Sequence, residues 1–169
     1  LVIRRQRQMC IRDRNYTANL SDISIIGHST GGGSGHLYCL RNRCNKLILQ
    51  DPYFVPVVEK LSNIELRTDT YFIYSEDWYS NYDNPEYTTE IQVYRNFLTN
   101  DSLAKGYYLT DSAHYDFVAF GAVSPLTKYT FLKGTIDYKD SIFINNKFNL
   151  QALQGEEITT SEFLKMVSP

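Results

Sequence analysis

Residues 27–31 read Gly27-His28-Ser29-Thr30-Gly31, and they fall between the apolar run Ile23 to Gly27 and a stretch of helical spacing, Thr30 to Arg41. A G-x-S-x-G at a strand-to-helix junction is a nucleophile elbow. The turn must be tight enough to lift Ser29 Oγ clear of the surface, which forces the serine backbone into a strained conformation. Side chains two residues to either side would collide, and glycine at positions 27 and 31 removes the collision. The same turn presents backbone N–H groups at the helix N-terminus, where a developing oxyanion is stabilised. The competing reading is a glycine turn that cradles phosphate. Against it, the run Gly31-Gly32-Gly33-Ser34-Gly35 does not follow G-x-G-x-x-G, and a serine at the apex has no part in a dinucleotide site.

Beyond the elbow, short apolar runs alternate with helical stretches, the pattern of βαβ units and a mostly parallel sheet. Strands are predicted at Ile23 to Gly27, Lys46 to Gln50, Thr70 to Tyr74 and Lys105 to Leu109. Val55 to Leu61 reads as a short helix. Asn84 to Phe97, with Pro85 near its start and Ile91, Tyr94 and Phe97 at helical intervals, reads as a longer one, and Ser141 to Leu153 as a closing helix. The 169 residues suffice for one core rather than two. Parallel sheets are covered on both faces, and one whose first strand begins at residue 23 reads as the later part of a larger sheet, with N-terminal strands missing.

A nucleophile elbow makes a second demand: an acid at the end of a later strand, then a histidine after a strand further on. Asp51 directly follows Lys46 to Gln50, and His114 comes shortly after Lys105 to Leu109. The chain has three histidines. His28 lies inside the elbow, pointing away from Ser29, and His36 lies two turns along the helix, so His114 is left as the base. Asp51 before Pro52 is also good turn chemistry, so Glu76 and Asp77, after the third strand, are kept as reserve acids. Tyr107, Tyr108, Tyr115, Phe117 and Phe120 are candidates for an acyl pocket, although most aromatics of this kind serve as core.

The formal charge of −2 and pI of about 5.9 argue against a nucleic-acid partner. The average hides a basic head: residues 1–14 carry five arginines against one aspartate, net +4, leaving −6 for the rest. That head reads as translated adapter sequence rather than native protein, so the domain is taken as residues 15–169. The longest apolar run, Phe117 to Val123, is far too short to span a bilayer. Cys39 and Cys44 are five residues apart, a spacing that on a helix places them on different faces, so no bridge is expected between them. No metal and no cofactor are expected, since the histidines are scattered and neither C-x-x-C nor H-E-x-x-H occurs.

Three segments together carry a family resemblance: GHSTGGGSGHLYCLRNRCNKLILQDPYFVP, TYFIYSEDWY and SAHYDFVAFGAVSPLTKYTFLKG. They resemble the plasma and intracellular type II platelet-activating-factor acetylhydrolase family and its bacterial α/β-hydrolase relatives. The elbow alone is generic to hydrolases; the Asp-Pro-Tyr-Phe and His-Tyr-Asp-Phe contexts narrow it. The resemblance covers roughly residues 20–155 and implies the C-terminal part of an α/β-hydrolase fold with helices on both faces. It places Ser29, Asp51 and His114 on the family's nucleophile, acid and base, and Thr30 on an oxyanion-hole amide. It implies a serine esterase acting on short acyl chains, such as the sn-2 acetyl of a glycerophospholipid, and with such a substrate peripheral contact with a lipid surface. A dienelactone-hydrolase-like or peptidase-like enzyme on the same fold is the alternative chemistry. A non-catalytic binding module or an inactive fragment is the alternative of another kind.

Overall fold

The structure, a computed structural model, describes residues 22–61, 66–80, 88–119, 124, 126, 129 and 133–167. In chain order the elements are β1 (Ile25–His28), α1 (Thr30–Arg41), β2 (Lys46–Gln50), a 3-10 turn (Val55–Val57) running into α2 (Val58–Leu61), β3 (Asp69–Ser75), α3 (Glu76–Ser80), α4 (Thr88–Asn100), β4 (Ala104–Leu109), a 3-10 turn (His114–Phe117), α5 (Tyr138–Gln154) and β5 (Leu164–Met166). The strands lie in the order β1-β2-β3-β4-β5. The first four are parallel neighbours, and β5 runs antiparallel along β4. This is the expected mostly parallel α/β sheet.

Alternation along the central strands explains the two layers. A strand sends successive side chains to opposite faces. Leu47 and Leu49 of β2 and Phe72 and Tyr74 of β3 join one cluster with Cys39 of α1 and Tyr94 and Phe97 of α4. Ile48, Tyr71, Ile73, Tyr107 and Leu109 join the other, with Phe148 and Ala152 of α5. Helices therefore cover both faces, which is why β2 and β3 are apolar nearly throughout instead of alternating with polar residues.

Helix α5 is bounded by clear signals: the Asp137 side chain accepts from Lys139 N–H at 2.8 Å, and Gly155 closes the helix in the left-handed conformation at φ 71°. The predicted start of α4 at Asn84 and Pro85 lies outside the described residues, and the helix runs three residues beyond Phe97. Neither α3 nor β5 is anticipated by the sequence. Among the described residues no helix is long and apolar enough to cross a membrane. The basic head lies outside the described residues.

One expectation is overturned. Cys39 and Cys44 form a disulfide, with their Cα atoms 5.4 Å apart. The helical spacing does not apply because α1 ends at Arg41 and Asn42 adopts an extended conformation. The chain turns there and brings Cys44 back against the last turn of the helix. Both cysteines are buried, at 4% and 6% exposure.

Candidate active site

In an open parallel sheet, ligand sites form beyond the carboxyl ends of the strands, and the candidate residues gather there. His28 ends β1 and pairs in register with Gln50, which ends β2. The next residue on each strand is therefore Ser29 on one and Asp51 on its neighbour. Ser29 N–H donates to Gln50 O at 3.0 Å and Asp51 N–H to Ile73 O at 3.0 Å, extending the ladder by one step. Both residues then turn sharply away, at φ 54° for Ser29 and 39° for Asp51. Strain of this kind in non-glycine residues clusters at functional sites.

The elbow is tight, but not for quite the reason expected. A Cβ on Gly27 would stand 2.5 Å from Gly31 O and 2.8 Å from Gly32 Cα, so position 27 must be glycine. A Cβ on Gly31 would meet nothing within 4 Å among the described residues. The contribution of Gly31 to the crowding is its carbonyl, packed over Gly27; Gly32, against Pro52 at 2.7 Å, and Gly33, against Tyr53 O at 2.4 Å, also leave no room for a side chain. The carbonyl of Ser29 accepts from Gly32 N–H at 2.9 Å and from Tyr53 N–H at 2.9 Å, which ties α1 and the segment after Asp51 to one point. Thr30 is the first residue of α1, where backbone N–H groups have no intrahelical acceptor.

His114 arrives from the far side of the sheet. Its Nδ1 lies 3.3 Å from Asp51 Oδ2. Asp51 is fully buried, and Ser75 at the end of β3 saturates it: Ser75 N–H donates to Oδ1 at 2.7 Å and Ser75 Oγ to Oδ2 at 2.6 Å. A buried carboxylate surrounded by donors is the form that survives desolvation. Of the reserve acids, Glu76 is engaged elsewhere, its Oε2 accepting from Asp111 N–H at 2.6 Å, and Asp77 N–H donates to Ser112 O at 3.1 Å. These contacts brace the loop that carries His114.

The loop is braced from two further directions. Buried Asp116 accepts through Oδ2 from Ala113 N–H at 2.9 Å and Gly134 N–H at 2.7 Å, and its Oδ1 faces Lys133 Nζ at 3.4 Å. A buried amide relay then reaches back to β2. Gln50 Nε2 donates to Asn145 Oδ1 at 2.8 Å, and Asn145 Nδ2 donates to Phe117 O at 3.2 Å. Helix α5 thereby links the residue before Asp51 to the turn that begins at His114.

His28 is more than an elbow residue. Its Nε2–H donates to the His114 carbonyl at 2.8 Å, and the two rings lie 4.5 Å apart. Burial, with the His114 imidazole next in importance, holds His28 below the ordinary histidine pKa. The indole of Trp78 stacks on the His114 ring at 4.7 Å with 9° between planes, and Tyr115 stands edge-on at 5.3 Å. The sequence pattern places His28 at the site only as part of the elbow, and gives Ser75 and Trp78 no role there. Of the other aromatics named there, Tyr107 and Phe117 are core, Tyr108 stacks on Tyr79 at 4.7 Å, and Phe120 lies outside the described residues. His36 stands apart from the site, buried between Phe54 and Phe97. Among the described residues no group of three or more His, Cys, Asp or Glu side chains is placed to hold a metal ion.

Compared with known families, residues 11–166 match the family described as platelet-activating factor acetylhydrolase, isoform II. The match takes in every element above, from the elbow to β5. Among curated proteins, none matches the chain.

Proposed function

Because this chain belongs to the platelet-activating factor acetylhydrolase isoform II family of α/β hydrolases, we propose that it cleaves carboxylic esters through an acyl-enzyme, with Ser29 as nucleophile, His114 as base and Asp51 as the orienting acid. The observation that carries this reading is the approach of His114 Nδ1 to Asp51 Oδ2 at 3.3 Å, beside the strained Ser29 turn. With Nδ1 turned to the carboxylate, Nε2 is the nitrogen left for proton transfer. Separations of this size in an unliganded site tighten when substrate binds.

Ser29 Oγ attacks the ester carbonyl as its proton passes to His114 Nε2, and Asp51 stabilises the imidazolium that results. The Thr30 N–H supplies one donor to the oxyanion. Collapse of the tetrahedral intermediate breaks the ester C–O bond, and the departing alkoxide takes the proton from Nε2. Water then attacks the acyl-enzyme, its proton going to His114 and on to Ser29 Oγ, and the acid leaves. The substrate class follows the family: an sn-2 acetyl or other short acyl chain on a glycerophospholipid, reached at a lipid surface.

The test is active-site labelling. A fluorophosphonate probe should modify Ser29, and Ser29→Ala should abolish both labelling and release of acetate from 1-alkyl-2-acetylglycerophosphocholine. Label on a different serine would overturn the nucleophile assignment.

A further inference from the structure

The Trp78 indole is held against His114 by the same turn that holds the acid. Ser75 gives its hydroxyl to Asp51, and that oxygen accepts from Trp78 N–H at 3.4 Å at the start of α3. Trp78 is 8% exposed, and its indole, 9° from the imidazole plane, presents its face rather than its edge. The face of an indole is the negative pole of its quadrupole and attracts a cation placed over it, more strongly where water is excluded. Asp51 meets the imidazole at Nδ1; Trp78 covers the ring itself.

We propose that Trp78 is a positioning residue for the base, holding the His114 ring in line with Asp51 and favouring the imidazolium that forms when the Ser29 proton is taken up. The proposal rests on the triad reading above. The titratable groups on the elements around this pair are Asp51 from the end of β2, His28 from the end of β1, Tyr115 within the turn, Glu76 and Asp77 on α3 itself, and Asp116, which is bonded to Ala113 and Lys133. His28 is a second imidazole, 4.5 Å from the His114 ring, so any test has to separate the two.

Trp78 is the single tryptophan of the chain, so indole emission from the full chain reports on this stack alone. A protonated imidazole in contact quenches indole. Emission should fall as pH is lowered from 8 to 5, the dependence should vanish in His114→Gln, and it should persist in His28→Gln. Emission that is flat in the unmodified chain, or that still titrates in His114→Gln, would overturn the stack. For the catalytic consequence, Trp78→Phe and Trp78→Leu should lower kcat in that order, the latter by about three- to tenfold, with KM little changed. In Trp78→Leu the acid limb of kcat/KM should move to lower pH by about half a unit, since the charged base has lost a stabilising partner. Lowered thermal stability with the limb unmoved would reduce Trp78 to a packing role. An emission titration that behaves as expected while Ser29 takes no label would count against the ester-hydrolase reading and leave the stack standing.

Discussion

Ser75 occupies both oxygens of the Asp51 carboxylate, one through its backbone N–H and the other through its hydroxyl. The pairing spans two adjacent strand ends and is fully buried. Removing the hydroxyl in Ser75→Ala takes away one charge-assisted bond, worth about 1.5–3 kcal/mol of stability. It also frees the carboxylate to swing from the imidazole, so kcat should fall as well. A urea midpoint and a kcat both at the unmodified values would show that the hydroxyl is dispensable.

Asp51→Asn and His114→Gln should each lower kcat by about three to four orders of magnitude, because members of such a unit fail together. Glu76→Gln should do far less. Its side chain accepts a backbone N–H that an amide oxygen can also satisfy. Comparing kcat among the three variants assigns the acid: if Glu76→Gln is the damaging change, Asp51 has been given the wrong role.

His36 predicts how stability depends on pH. Burial pushes it down to about 4, and neither ring nitrogen has a hydrogen-bond partner among the described residues. The unfolded chain protonates this ring from about pH 6.5 downward and the folded chain only near 4, so unfolding takes up a proton between those values. Its contribution is intact above pH 6.5 and declines by up to about 3 kcal/mol as pH falls through that window. His36→Leu should flatten most of this slope in urea unfolding measured from pH 7 to 4. A remainder is expected from His28, which is lowered in the same direction.

The disulfide makes a stoichiometric prediction. The denatured chain should show one reactive thiol, from Cys10, before reduction and three after it. Closing so short a loop corresponds to about 2 kcal/mol. Cys39→Ala with Cys44→Ala should therefore lower Tm by about 4–8 °C, with Ser29 labelling retained. Three thiols without reductant would show that the bridge does not form.

Legibility from the sequence followed the strength of the local signal. β2 and β3 carry runs such as Leu47-Ile48-Leu49, apolar because both faces are covered, and these runs mark the strands and the residue after β2, while the G-x-S-x-G motif marks the turn after β1. β5 is three residues with one fully buried side chain, too short to show any period. Trp78 sits on a five-residue helix where no periodicity can develop, so its approach to His114 depends wholly on tertiary placement. The Cys39–Cys44 bridge leaves no sequence signal, because helical spacing holds only as far as Arg41, where the helix ends.

The monotonic strand order also decides how the site comes apart. Ser29 and Asp51 directly follow β1 and β2, whereas His114 depends on the opposite margin, where Thr110 N–H is held by Phe163 O at 2.7 Å and β5 contributes only three residues. Margins of this kind open locally at less free energy than the core strands. Amide exchange should be fast along β5 and the His114 turn while β2 and β3 remain protected. On warming, His114 would part from Asp51 before the sheet melts, so loss of the proposed activity would precede global unfolding and be reversible as long as the first three strands stay paired.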